Sequence, residues 1–569
     1  MTRRFPRGRW PRGRWAPLCG LATWLAAWPI ASVAAPALEP ADVLISGGTV
    51  YDGTEDAARV ADVVISGDRI AYVGPGAAAR YSAARVVDAR GKIVSPGFID
   101  PHAHPDTYIR SKDAAQRVNA PWLFQGATTL LIGVDGGGTP EIARESAELT
   151  RLGIGTNVAM YVGFSPVRER ILGESAREPS AAELDRMRAL VAQGMCEGAI
   201  GFSTGLFYAP QRFAKTEEVI ELAREAAKRG GIYDTHQRDE SSYDVGLLRS
   251  TEEAIRIGRE AGLPVHIAHI KALGVDVQGE APRVIALIEA ARRDGVDVTA
   301  DQYPWAASGT SLEASLLPGW SVDGGRDALL ARLAKPADKA KILDAMRENL
   351  RRRGGARSLL FTAAGSAWAG KTLEQVAAAL KIPPVEAALR VIEEGRVDTS
   401  VASFNMVESD IRLFMQQPWV VTSSDGSDGH PRQYGTFPRK YAQYVKADET
   451  IPLGRFIRNS SGRTADLLKL EGRGYLRAGY FADVLVFDPE RFAPKADYTH
   501  PAVLSQGMAA LFVNGREAIR DGELTGERAG RVLLRPAPFT DISRTTRGSV
   551  AEGRAGSSDG RCRDARRGK

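Results

Sequence analysis

Between residues 95 and 430 eight short apolar runs alternate with stretches of helical periodicity, and all but one of those runs end in polar side chains. They end at His102/His104, at Asp135 after Thr128–Val134, at Phe164 after Asn157–Gly163, and at Ser203 after Ala199–Phe202. The next four end at His236, at His269 after Val265–Ala268, at Asp301 with Tyr303, and at Asp425 after Trp419–Ser424. Apolar runs alternating with helical patterns predict βα units. Eight of them are what a (β/α)8 TIM-type barrel requires, and chemistry in that fold sits at the C-terminal strand ends. Most of the unusual polar residues fall at those ends.

The chain has seven histidines, at 102, 104, 236, 266, 269, 430 and 500. Alternate residues of a strand face the same way, so His102 and His104 can address one point, as a divalent transition metal requires. His266 and His269 have odd spacing and cannot share a face; His269, at the strand's end, is the better ligand. Asp135, inside Gly133-Val-Asp-Gly-Gly-Gly138, offers a hard anionic ligand, with glycines that would let backbone approach a metal centre. Asp425 closes the eighth run and can bind metal and act as general acid/base. Lys271, Tyr303 and Arg432 are expected at the mouth of the site, where Arg432 could clamp a carboxylate in two-pronged fashion.

The flanks of the barrel are β-rich. Val43–Val50, Asp62–Asp68 and Ile70–Val73 before it, and Ala482–Asp488, Ala510–Gly515 and Arg531–Arg535 after it, predict one small β-sandwich built from 41–94 plus 455–536, with the barrel at 95–454. More than a hundred residues separate Tyr303 from Trp419. A crossover needs far fewer, so an inserted lid subdomain is expected over about 306–400.

Residues 1–34 carry six arginines and an apolar run ending in Ala31-Ser-Val-Ala34, the pattern of a cleaved export signal. Arg3-Arg4 leaves the Sec and twin-arginine routes both open. A periplasmic or secreted location is expected, with no stable membrane insertion after cleavage. Residues 541–569, rich in Ser, Gly and Arg, should be disordered. The formal charge of +6 comes from the ends. With the six arginines of 1–34 and the four excess positive charges of 541–569 set aside, residues 35–540 carry −4, which excludes an argument for nucleic acid. Three cysteines are too few for a disulfide-knit fold.

Several segments together resemble the amidohydrolase superfamily, and within it the D-aminoacylase (N-acyl-D-amino-acid deacylase) family. They are Pro96-Gly-Phe-Ile-Asp-Pro-His-Ala-His104, Gln125-Gly-Ala-Thr-Thr129, Gly198-Ala-Ile-Gly-Phe-Ser-Thr-Gly-Leu206 and Thr235-His-Gln-Arg-Asp-Glu240. In family order follow His266-Ile-Ala-His-Ile-Lys271, Ala300-Asp-Gln-Tyr-Pro304, Ser424-Asp-Gly426 and His430-Pro-Arg-Gln-Tyr-Gly-Thr-Phe-Pro-Arg439. The resemblance implies an enzyme that cleaves the amide bond of N-acyl-D-amino acids or D-residue-containing dipeptides with water activated at one or two divalent ions, expected to be zinc. It implies metal binding by His236 and His269, a second, weaker position at His102 and His104, and Asp425 as acid/base. Lys271, Tyr303 and Arg432 would hold a small-molecule substrate by its free carboxylate.

The sequence departs from this pattern in two places. Asp135 stands where D-aminoacylases have a cysteine ligand, and a carboxylate there could bridge two ions. Phe164 stands where many relatives have histidine. No lysine ends the fourth strand, so the carboxylated-lysine bridge of dihydroorotase-like relatives has no candidate. A cyclic-amide hydrolase (dihydroorotase- or hydantoinase-like), another dipeptidase, and a non-catalytic carboxylate-binding protein on the same barrel remain as alternatives.

Overall fold

A computed structural model describes residues 38–363, 365–395 and 399–536. The expected signal segment and the expected disordered tail lie outside these residues. Eight parallel strands form one sheet in chain order. They are β1 (Phe98–Asp100), β2 (Ala127–Ile132), β3 (Asn157–Gly163), β4 (Gly201–Gly205), β5 (Ile232–His236), β6 (Val265–Ile267), β7 (Val298–Gln302) and β8 (Val420–Thr422). β1 and β8 meet where the sheet closes. Ala103 bridges Gly426 in parallel, the Asp425 N–H donates to the His102 carbonyl at 2.8 Å, and the His104 N–H donates to Gly426 O at 3.0 Å. The (β/α)8 barrel is therefore present, and closure sets His102, His104 and Asp425 side by side.

Every residue of β2 and β3 is buried, as expected of strands packed on both faces. The surrounding helices follow local rules. The helix Ala181–Cys196 begins with a capping box between Ser180 and Glu183. Leu247–Ala261 stops at Gly262 in the left-handed region. Val158, Phe202, Tyr233, Val265 and Trp419 belong to one core between strands and helices. Full burial of each such side chain contributes about 1.5–3 kcal/mol.

Both ends of the described chain build the satellite: a single nine-stranded mixed sheet, in which Val484–Phe487 pairs antiparallel with Ile93–Pro96. Ile45, Val63, Val94, Val486 and Phe512 share its core, the arrangement of a sandwich formed by the two termini. The chain returns to this sheet from Gly479, whose N–H donates to Ile70 O at 2.8 Å, and Phe481 bridges Arg69. The helices Leu453–Ser460 and Gly462–Leu468, just before it, pack against the barrel.

The insertion between β7 and β8 has its own three-stranded antiparallel sheet, Ala307–Ser311, Ser400–Phe404 and Leu359–Phe361. It also has its own apolar core, with Leu316, Ile342, Met346, Leu373 and Ile392 at its centre. No helix among the described residues is long and apolar enough to cross a membrane.

Candidate metal centre and active-site pocket

Asp135 lies at the middle of the strand-end cluster. β2 stops at Ile132, and Gly133 turns the chain with φ +75°. A Cβ on Gly133 would lie 2.8 Å from both Gly138 Cα and the Tyr161 carbonyl, and one on Gly138 would lie 2.2 Å from that carbonyl. The glycines thus let the loop press on β3; their close approach is to backbone, not to the metal centre as expected. Gln211 fixes the loop from the far side, donating to Asp135 O at 2.9 Å and accepting from the Gly205 N–H at 2.7 Å.

The Asp135 carboxylate consequently faces four imidazoles. Its Oδ1 is 3.3 Å from His102 Nε2, 3.3 Å from His269 Nε2 and 3.5 Å from His236 Nδ1; its Oδ2 is 3.4 Å from His104 Nε2. Asp425 Oδ1 lies 3.3 Å from His104 Nε2 and 3.8 Å from His102 Nε2. All six metal ligands expected from the sequence come together. They form three overlapping ligand groups, His102/His269/Asp425, His102/His104/Asp135 and Asp135/His236/His269. Asp135, His269 and Asp425 hold φ of +53°, +35° and +46°. Left-handed backbone at non-glycine positions gathers at functional sites.

Several observations fit this cluster to a divalent ion. His102 Nδ1 is buried without a hydrogen-bond partner, a costly state for a polar atom unless a ligand meets it. His236 Nδ1 and His269 Nε2 face each other at 3.0 Å, as two ligands of one ion would. Burial alone would lower the pKa of His104, but hydrogen bonds to Asp135 and Asp425 outweigh it and raise it to about 10. Burial and the Lys271 charge oppose protonation of His269, yet Asp425, Glu240 and Asp135 also raise it to about 10. Despite burial, the histidine charges and hydrogen bonds hold Asp135 well below the usual carboxylate range. The two carboxylates thus draw positive charge onto the neighbouring imidazoles, a place a cation can take, and the N/O donor set suits a divalent transition metal.

A second layer of carboxylates orients the ligands. Glu240 Oε1 accepts from Lys271 Nζ at 2.6 Å and lies 3.1 Å from His269 Nδ1, while its Oε2 is 3.7 Å from His236 Nε2. One carboxylate therefore addresses the outer nitrogens of both histidines. Asp301 accepts from the His269 N–H at 2.9 Å and pairs with His266 Nε2 at 2.8 Å. His266 is thus a supporting residue outside the ligand groups, in keeping with its spacing. Asp100 accepts from the Ser424 and His102 N–H groups at 2.9 and 3.3 Å, and burial pushes its pKa to about 7. Glu240, Asp301 and Asp100 carry no role in the sequence reading. The available signal was that Asp100 and Glu240 lie within four residues of a strand-end histidine and that Asp301 itself ends an apolar run.

The cluster opens into a cavity of about 420 Å³ whose walls include Tyr208, Lys271, Tyr303, Asp425, Arg432 and residues of the insertion. The three expected substrate residues reach it in different states. Tyr303 Oη is buried with no partner. Arg432 lies 2.7 Å from Asp425 Oδ2 through Nη1 and donates to Ser427 through Nη2 at 3.3 Å, with its Nε unpartnered. Lys271 is already engaged by Glu240. Phe164 starts the helix Phe164–Leu172 and packs in the core against Phe202, ring centroids 5.9 Å apart, away from the cavity. Among the described residues no lysine ends β4.

Residues 85–524 match the amidohydrolase family. D-aminoacylase from Alcaligenes xylosoxydans xylosoxydans is 33% identical over 528 residues, covering 88% of this chain and 99% of that protein. A solved D-aminoacylase structure with a binuclear metal centre superimposes with a TM-score of 0.73 at 33% identity, over 87% of this chain and all of that one. N-acyl-D-glutamate deacylase from Bordetella bronchiseptica, solved with zinc and a phosphonate inhibitor, gives a TM-score of 0.75 at 29% identity with the same coverage. The match runs through the barrel and back into the satellite sheet, and this chain belongs to the amidohydrolase family.

Proposed function

We propose that this hydrolase of carbon–nitrogen bonds deacylates N-acyl-D-amino acids, with zinc as its divalent ion. The observation that carries the proposal is the convergence of His102, His104, His236, His269, Asp135 and Asp425 in one cluster beside a pocket that Lys271, Tyr303 and Arg432 also line. His236, His269 and Asp135 would hold one ion, and His102 and His104, sharing Asp135 and Asp425, a second. A bound ion supplies a water of lowered pKa and polarises the amide carbonyl.

The chain's own groups do the rest. Burial tends to raise the Asp425 pKa, but Arg432 and His269 prevail and hold its carboxyl far below the ordinary range. It therefore enters the reaction as a base, accepts the proton of the attacking water and returns it to the leaving amine. Arg432 Nε and the Tyr303 hydroxyl offer unused donors to a substrate carboxylate, and Lys271 adds positive charge at the same wall. Ion pairing to Arg432 also fixes the direction in which Asp425 points.

Turnover of N-acetyl-D- and N-acetyl-L-amino acids, dipeptides and cyclic amides tests this directly. The N-acetyl-D series should be preferred, and Asp425→Asn should lower kcat on the order of a thousandfold while metal stays bound at His236, His269 and Asp135. Wild-type turnover in Asp425→Asn would remove its acid/base role; preference for a cyclic amide would remove the deacylase reading. We also propose that the protein is exported and that its mature form begins at Ala35. Intact mass of the protein from its native compartment checks this, and retention of residues 1–34 would contradict it.

A further inference from the structure

Six arginines are buried among the described residues: Arg117, Arg168, Arg229, Arg353, Arg432 and Arg473. Arg168, Arg229, Arg432 and Arg473 each pair with a carboxylate, and Arg117 donates to four backbone carbonyls. Arg353 differs. It is 2% exposed, and its partners are neutral hydroxyls. Nε donates to Tyr243 Oη, and Nη1 donates weakly to Ser308 and Ser403 at 3.4 and 3.3 Å. No carboxylate of the described residues lies within ion-pairing distance of it. A buried guanidinium with only hydroxyl partners is poorly compensated.

Arg353 nevertheless lines the catalytic cavity. It follows the insertion helix Pro336–Arg352 and so belongs to the lid, not to the barrel. The lid strand Ala307–Ser311 separates it from Arg432. Ser308 takes a hydrogen bond from Arg353, and a Cβ on Gly309, the next residue, would sit 3.0 Å from Arg432 Nη2. The pocket thus has two guanidinium groups at different walls, one tied to Asp425 and one without a counter-ion.

We propose that Arg353 binds a second anionic group of the substrate, remote from the scissile amide, so that preferred substrates carry two carboxylates. The second belongs either to the amino-acid side chain or to the acyl group; both present the same planar oxyanion to the guanidinium. Ser308 and the Tyr243 hydroxyl hold Arg353 in place. This inference rests on the deacylase reading and adds a substrate class to it.

The test compares kcat/KM within isosteric acid/amide pairs on the zinc-loaded full chain: N-acetyl-D-glutamate against N-acetyl-D-glutamine, and N-succinyl-D-alanine against its terminal amide. The wild type should favour the acid by roughly tenfold or more in one pair, and that pair identifies the source of the second carboxylate. R353M should bring the ratio close to one, mainly through KM, and R353K should keep an intermediate ratio. Each ratio is read within one protein, so a general loss of folded material cancels; should R353M fail to fold, R353K and the wild type still decide. Wild-type ratios near one in both pairs, or an unchanged ratio in R353M, would overturn the role of Arg353. With N-acetyl-D-leucine hydrolysed at the same time, the deacylase reading would survive. Hydrolysis of no N-acyl-D-amino acid at all would overturn both.

Discussion

Glu240 sits four residues beyond His236, yet it holds both His236 and His269 through their outer nitrogens. It can do so because Asp239 folds the loop, accepting N–H groups from Ser241, Asp244 and Gly246 at 2.8, 2.7 and 3.0 Å. Burial works against ionisation of Glu240, but the charges of Lys271, His236 and His269 keep it ionised. A glutamine there keeps the shape and loses the charge. Glu240→Gln should weaken metal affinity by about 10- to 100-fold with the fold intact, as competition with a chelating dye would show; unchanged affinity would remove its orienting role. The ligands themselves were legible in the sequence because each is a polar residue ending an apolar run. Their carboxylate supports were not, because their work depends on loop shape and on contacts between strands distant in sequence.

At the scale of single elements, the β2–β3 region shows how a loop becomes a ligand. Asp135 reaches the centre only because Gly133 and Gly138 let the loop lie on the Tyr161 carbonyl. The glycine cluster was visible in the sequence, whereas the partner it approaches was not, since that partner is main chain of another strand. Gly133 combines a φ of +75° with no room for a methyl group. Gly133→Ala should therefore destabilise the protein by about 1–3 kcal/mol and reduce bound metal, as urea unfolding and metal analysis would report. Wild-type values in both would mean the loop tolerates what its geometry forbids. Phe164 teaches the converse: a departure at a strand end carries no catalytic meaning once the side chain turns into the core.

Across the whole molecule, the closed barrel supplies the rigid rim and the insertion supplies a wall of the pocket. Eight strand ends and an oversized interval gave the sequence reading its architecture. Arg353 was not legible there, because nothing near residue 353 marks it as part of a site formed by residues from 102 to 432. Four imidazoles and two carboxylates converge on one point, which makes the central claim one about metal: without a divalent ion His104 lies against both Asp135 and Asp425, and His269 against Asp135. The most direct measurement is turnover of an N-acetyl-D-amino acid by protein stripped with a chelator and titrated with zinc. Stripped protein should be folded and inactive, with activity returning as the site centred on Asp135 fills. Full activity in the metal-free protein, or none after zinc is restored, would contradict the account.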